Sequence, residues 1–237
     1  MKALILGGSG KTGKLVVQQL VKRDIQVRIV VRASAAIPEF FTNDKRIQIT
    51  KGNVNGFDIA KITELVKDCD SVICCLGHNI SPKGILGPPH KMVFNTARKI
   101  IEAMYSLKLN QKFILMSTTA YTNKTIGERN GFGEMIIFSL LKVLLPPHRD
   151  NMLAADYLVH KLGSDSSIDW VAVRPDSLID EEDVTKYEIH NHKIRSPLFN
   201  PGKTSRINVS HFMAELVTND KLWQEWKHKT PVIYNKE

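Results

Sequence analysis

Gly7, Gly10 and Gly13 recur at intervals of three residues. They stand between the apolar run KALIL, residues 2–6, and residues 14–23, where Leu15, Val16, Leu20 and Val21 keep helical spacing. A glycine turn from a buried strand into a helix N-terminus suits an anion. Gly7 can take a positive φ, Gly10 has no Cβ to keep a diphosphate from the backbone, and Gly13 lets helix and strand pack closely. The first N–H groups of the helix and the positive end of its dipole face the same point, with Lys11 and Thr12 inside the turn. The GKT at residues 10–12 is not a nucleoside-triphosphatase loop, because that motif needs a glycine at position 5, which is Ile5. The spacing also differs from the G-x-G-x-x-G turn of common dinucleotide dehydrogenases.

Further chemistry is spaced along the chain. The run QVRIVVR, residues 26–32, ends in Arg32, and no carboxylate follows until Glu39. A carboxylate there would accept bonds from a ribose 2′-hydroxyl, whereas a guanidinium suits a 2′-phosphate, so the pattern favours NADP (NADPH) over NAD. SVICCLGH, residues 71–78, ends in Leu76, Gly77 and His78, where ligands of a parallel sheet bind. Ser117, Thr118 and Thr119 offer three hydroxyls where the strand within 111–121 gives way to its outgoing turn. Tyr157 and Lys161 share a helix face. His190 and His192 lack a third ligand and read as surface residues, so no metal is expected.

The elements that must position these residues follow from periodicity. Strands are expected at 2–6, 26–32, 46–54, 71–78, 111–121 (with its outgoing turn) and 169–175. Helices alternate with them at 14–23, 57–68, 91–109 and 150–162. This alternation implies a doubly wound parallel α/β sheet, with the site at the switch point between the first and fourth strands. Residues 79–90 form a Gly/Pro-rich loop of a length that can cover a site. The apolar stretch 135–145, stopped by Pro146 and Pro147, suits a lid or a subunit contact. Residues 203–219 read as an extended piece and a helix capped by Ser210, and 230–234 as a last strand. One domain over 1–237 is expected, with 180–237 as a small C-terminal substrate lobe.

The glycine turn, Gly52-Asn53-Val54, the run NTARKIIEAM and Arg174-Pro175-Asp176 together resemble the atypical short-chain dehydrogenase/reductases. More narrowly they resemble the NAD(P)H-binding, NmrA-like family that includes flavin and biliverdin-IXβ reductases. The resemblance implies a Rossmann-type fold. It implies cofactor contacts from Gly7, Gly10, Lys11, Thr12, Gly13, Arg32, Asn53, Leu76, Gly77 and Pro175, substrate contacts from His78, Tyr121 and Asp176, and catalytic hydroxyls at Ser117 and Thr119. Asn53 replaces the family's acidic residue near the adenine, where an amide can still bond the base. In family members with a catalytic Tyr/Lys pair, the tyrosine lies further ahead of the strand-end arginine than Tyr157, which precedes Arg174 by only seventeen residues. The pair is therefore expected to be coincidental, with Asp150 matching the helix start of the flavin-reductase-like branch. The function implied is NADPH-dependent hydride transfer to a planar flavin- or quinone-like acceptor. The alternative is an NADP-binding sensor without turnover.

Composition narrows the rest. The 237 residues are 43% hydrophobic, enough for a sizeable core. The net charge of +9 is spread, which argues for a solvated surface rather than a nucleic-acid arm. The apolar start of the chain breaks into glycines too soon for a signal peptide, and residues 135–145 are too short to span a bilayer. Cys69, Cys74 and Cys75 read as buried free thiols in a reducing cytoplasm. A monomer or homodimer acting on a small molecule is expected.

Overall fold

The computed structural model describes residues 1–77, 91–108, 110–164 and 166–236. His78 and the loop 79–90, expected beside the site, lie outside them. The strands are β1 (Lys2–Leu6), β2 (Gln26–Val31), β3 (Ile47–Lys51), β4 (Ser71–Cys74), β5 (Lys112–Met116), β6 (Asp169–Pro175), β7 (Ser177–Ile179), β8 (Tyr187–His190), β9 (Lys203–Ser205) and β10 (Val232–Asn235). The helices are α1 (Lys11–Val21), α2 (Glu39–Asn43), α3 (Ile59–Val66), α4 (Met92–Leu107), α5 (Phe132–Leu144), α6 (Pro146–Tyr157), α7 (Arg206–Thr218) and α8 (Asp220–Trp226).

Eight strands form one sheet in the order β3-β2-β1-β4-β5-β6-β10-β8. All neighbours are parallel except β10 and β8, which run antiparallel. β7 and β9 pair separately. The sheet is wound in both directions from β1, so the switch point lies between β1 and β4.

Side chains alternate across each strand, which sorts the core into two layers. Ala3, Ile5, Val27, Ile29, Ile73, Ile114, Val171 and Val173 face α1, α7 and α8. Leu4, Leu6, Val72, Cys74, Phe113, Leu115 and Trp170 face α3, α4 and α6. Because both faces are covered, these strands read as continuous apolar runs. Arg28, 8% exposed in β2, is one polar exception, beside Ser71 in β4 and Arg174 in β6. Arg28 Nη1 donates to the Leu65 carbonyl at 2.6 Å and so caps the end of α3.

The structure corrects several boundaries. The strand expected at 71–78 ends at Cys74, and those at 46–54 and 111–121 shorten to β3 and β5. The two prolines end α5 but start α6 at once, since proline fits the first helical turn. Helix α6 then runs into a π turn, Leu158–Leu162, closed by Gly163 at φ 65°. The cap of α7 is Ser205, not Ser210. Ser205 accepts the Asn208 N–H, while the Ser210 hydroxyl donates inside the core to the Thr12 carbonyl at 3.1 Å. Strand β8 and helices α2 and α8 were not expected.

The polar loop between β5 and α5 is held by a buried ion pair. Arg174, 0% exposed, donates from Nη1 and Nη2 to the two Glu128 carboxylate oxygens at 2.7 and 2.9 Å. It also donates to the Thr230 carbonyl at 2.7 Å and the Tyr121 carbonyl at 3.1 Å. Glu128 additionally accepts the Asn123 and Lys193 N–H groups. Burial alone would raise the Glu128 carboxyl, but Arg174 and the two amides bring it below the usual carboxylate value. A depressed carboxyl stabilises the fold above its unfolded value and loses that contribution as pH falls through the folded value. Glu128→Gln leaves Arg174 charged and buried, and we expect it to cost about 3–5 kcal/mol at neutral pH. Denaturant unfolding at pH 7 and at pH 3 checks this: the gap between parent and variant should narrow at the lower pH. An equal gap at both would show that the carboxylate charge contributes nothing.

Candidate functional site

The C-terminal ends of the parallel strands gather most of the expected residues along one edge. At β1, Gly7 has φ +78°, and a Cβ on it would lie 2.6 Å from the Cys75 carbonyl oxygen just past β4. A Cβ on Gly13 would lie 2.1 Å from the Gly7 carbonyl oxygen. These two positions therefore require glycine, and they bring the start of α1 hard against β1 and β4. Gly10 differs. Its Cβ would meet only the Gly7 carbonyl oxygen, at 3.2 Å, and the residue is exposed in an extended conformation. No side chain caps α1 and its first turn holds no acidic residue. The first N–H groups of the helix thus stay open beside a bare glycine, as an anion site needs.

Two side chains border this turn. Lys11 is exposed, with Nζ 3.4 Å from Asp180, and Asp180 is 2.8 Å from Arg206 at the start of α7. Burial and then the two cations act on the Asp180 carboxyl, leaving it below its usual value. Thr12 is buried at 5% exposure, its carbonyl taken by Ser210, so its side chain belongs to the α1–α7 contact more than to open space.

Arg32 is exposed one residue past β2, and among the described residues its guanidinium has no ion-pair partner. Asn53 is exposed past β3, where its Oδ1 accepts the Asn55 N–H at 3.2 Å and caps a short 3₁₀ turn. Leu76 and Gly77 follow β4, the first half-buried and the second exposed. These residues line the edge from β3 to β4 in strand order.

The β5 and β6 ends hold the polar cluster. Thr119 is buried and its hydroxyl donates to Asp176 Oδ1 at 3.1 Å, while its N–H donates to the Pro175 carbonyl at 3.2 Å. Asp176 Oδ2 accepts the Gly202 N–H at 2.9 Å. Burial lifts the Asp176 carboxyl above its usual value, although the Gly202 amide and Thr119 hydroxyl oppose the shift. The Thr118 hydroxyl accepts the Ala120 N–H and is used in the turn. The Ser117 hydroxyl is buried with no hydrogen-bond partner among the described residues. Tyr121 is 3% exposed and its hydroxyl is likewise unpartnered among the described residues, with burial raising its pKa. This cluster can hold a proton at Asp176 and present hydroxyls, but every side chain in it is largely enclosed.

Tyr157 and Lys161 stand apart. The Tyr157 ring packs edge-on against Phe94 of α4, with centroids 5.8 Å apart, and burial raises its phenol above the usual value. Lys161 is exposed in the π turn. Asp150 is fully buried and accepts the Val93 and Phe94 N–H groups at 2.8 and 2.9 Å, which caps α4. All three cysteines are buried and unpaired, and burial pushes Cys69 up to about 11 and Cys74 to about 12. They are thiols rather than ligands, and no group of residues able to hold a metal occurs among the described residues. His190 is half-buried, 3.2 Å from Glu188, rather than on the open surface. No described helix is long and apolar enough to cross a membrane.

Sequence reasoning missed Glu128 and Lys193. Lys193 Nζ donates to Thr122 at 3.0 Å and Asn130 at 2.8 Å, and burial lowers its pKa. Arg174 was recognisable beside Pro175. Its partner lies 46 residues earlier in a polar loop with no distinguishing pattern.

Comparison with known proteins extends this. The model of a family described as NAD(P)H-binding matches residues 7–220. Among curated proteins, the chloroplastic protein TIC 62 of Arabidopsis thaliana is 24% identical over 92% of this chain and 34% of its own length. An uncharacterised chloroplastic protein of the same plant is 28% identical over 54% of this chain and 44% of its own. The chain thus spans less than half the length of either relative. Among solved structures, the oxidoreductase ylbE of Lactococcus lactis superposes with TM-score 0.73 at 20% identity, covering 100% of this chain and 92% of that one. A short-chain dehydrogenase/reductase of Veillonella parvula in complex with NADP gives 0.69 at 14% identity, covering 99% and 94%. A candidate NADH-flavin reductase of Streptococcus pneumoniae gives 0.68 at 17% identity, covering 100% of both. At these identities the likeness shows a shared Rossmann-type fold.

Gly10→Asp separates folding from binding at this turn. Aspartate is a favoured N-cap and the backbone there is already extended, so the fold should hold or gain slightly. The same carboxylate would sit in the anion's place and repel it. We expect an unchanged unfolding midpoint and no calorimetric NADPH binding. A folded variant with parental affinity would make the turn purely structural.

Proposed function

The chain belongs to the NAD(P)H-binding family, and from that premise we propose that it is an NADPH-dependent oxidoreductase acting on a planar acceptor such as a flavin or quinone. The observation that carries the cofactor half is the open, uncapped start of α1 beside Gly10. Gly7, Gly10, Lys11 and Gly13 would hold the diphosphate and Thr12 would back the turn. Arg32 would meet the 2′-phosphate, Asn53 the adenine, and Leu76, Gly77 and Pro175 the nicotinamide side. When bound, the nicotinamide supplies the hydride.

The acceptor half rests on what the β5 and β6 ends lack. Tyr157 is turned onto Phe94 and the Thr119 hydroxyl is given to Asp176, so among the described residues neither is free to act as the acid of a carbonyl reduction. A flavin- or quinone-like ring needs no such acid, because its reduced form takes a proton from solvent. Orientation is then the protein's main contribution. Ser117 and Thr119 would supply the hydroxyls, and Tyr121, Asp176 and His78 would be the substrate contacts, as the resemblance implies. Residues 180–237 would serve as the substrate lobe of a single domain. The buried thiols suit a reducing compartment such as the cytoplasm.

The internal use of Thr118 and Thr119 also favours a second reading, an NmrA-like sensor that binds NADP without turnover. NADPH oxidation measured over flavins and quinones divides the two: turnover with either supports the enzyme, and tight NADPH binding with no turnover on any acceptor supports the sensor.

Arg32→Ala removes a charge-assisted contact worth about 1.5–3 kcal/mol. NADPH affinity should fall by roughly one to two decades with NADH little changed. Equal losses for both would remove Arg32 from the 2′-phosphate. Tyr157→Phe should leave reductase activity within a few-fold of the parent, whereas loss of a true proton donor would cost about 10²–10⁴-fold.

A further inference from the structure

A cleft of about 910 Å³ opens between the 121–130 loop, α5 and α6. Of the residues gathered at the strand ends, only Tyr121 lines it. Its volume lies in the range of small-molecule sites. The cleft is built in two chemistries. Phe138, Met152 and Leu153 give it apolar walls, and Phe138 is 4% exposed. Tyr121 adds part of the wall, its hydroxyl sealed from solvent.

Charge completes the pattern. Lys124, Arg129 and Arg149 line the cleft, all exposed, and none has an ion pair among the described residues. Two acids share these walls. Glu128 is bound to Arg174, and Asp156 lies 3.5 Å from the His160 ring. Three cations thus stand against one acid outside the Arg174 pair.

We propose that this cleft binds an amphipathic organic anion: a flat apolar body carrying a carboxylate, sulfonate or phosphate. The body packs on Phe138, Met152 and Leu153, and the acid group meets the unpaired cations. Such a ligand is either the acceptor of the proposed reductase or an effector that is not reduced. Binding itself does not depend on the nicotinamide cofactor.

The probe is 8-anilinonaphthalene-1-sulfonate, titrated by fluorescence into the full chain without cofactor. Saturable one-to-one binding is expected. The double variant Lys124→Glu/Arg129→Glu should weaken it at least about tenfold, because two attractive charges become repulsive. The uncharged N-phenyl-1-naphthylamine should be unaffected by that change. Ser139→Trp, which places an indole in the cleft from the exposed face of α5, should weaken both probes. Ile136→Ser, on the exposed ridge outside the cleft, should change neither. Gly10→Asp should bind the sulfonate as the parent does, so a failure of the cofactor reading leaves this result intact. Parental affinity in both the double variant and Ser139→Trp, or displacement of the probe by NADPH, would overturn the proposal. Once binding is established, consumption of NADPH by a redox-active ligand of this class identifies the acceptor, and binding without consumption identifies the effector.

Discussion

The backbone contact among Gly7, Gly13 and Cys75 is the constraint on which the edge of the sheet depends. A single methylene at Gly13 would lie 2.1 Å from the Gly7 carbonyl oxygen. Because none is present, α1 starts directly where β1 ends and where β4 passes alongside. That closeness puts the helix N-terminus at the switch point, rather than a turn's length above it. The α1–α7 layer on one face of the sheet is positioned by the same contact, with Ser210 of α7 bonded to the Thr12 carbonyl. Hydrophobic burial supplies most of the stability of both layers. It is indifferent to direction, however, and cannot by itself aim N–H groups at one point.

A second fixed point stands at the other end of the same edge. The guanidinium of Arg174 binds Glu128, the Tyr121 carbonyl and the Thr230 carbonyl, and so joins three chain segments that share no strand. An apolar contact could bury the same surface but would tolerate several arrangements of the polar loop. The fork geometry of arginine selects one. The loop in turn forms a wall of the cleft, so an ion pair that is weak evidence for net stability is strong evidence for a specified shape.

Much of this was legible in the sequence, and the reasons are local. Alternating apolar runs and helical periods gave the parallel order from β1 to β6, because strands buried on both faces leave unmistakable runs such as SVICC. The glycine spacing pointed to the turn because φ and Cβ clashes are properties of single residues. What escaped depended on partners distant in the chain. Glu128 has no pattern of its own. Ser210 looked like a cap because a serine before an apolar run usually is one, yet Ser205, one residue before α7, has the needed extended backbone. Strand β8 was hidden because one flank of YEIH is neither buried nor apolar. The hydroxyls after β5 could be enumerated from sequence, but only the fold shows that Thr119 is bonded to Asp176 and Ser117 is sealed in.

The place of β10 in the sheet carries a consequence for how the chain acquires its form. Residues 232–235 lie between β6 and β8, although β6 ends at Pro175. The first six strands can assemble while the chain is still being extended, each beside a partner already made or soon to follow. The seventh position in the sheet is filled by the last strand in sequence. Until it arrives, β6 presents a row of unpaired backbone groups, and β8 has no partner in the sheet. Closing so long a loop is slow compared with the local steps before it. A sheet lacking β10 would carry one open edge at β6, and such an edge is a template for pairing with another copy of the chain.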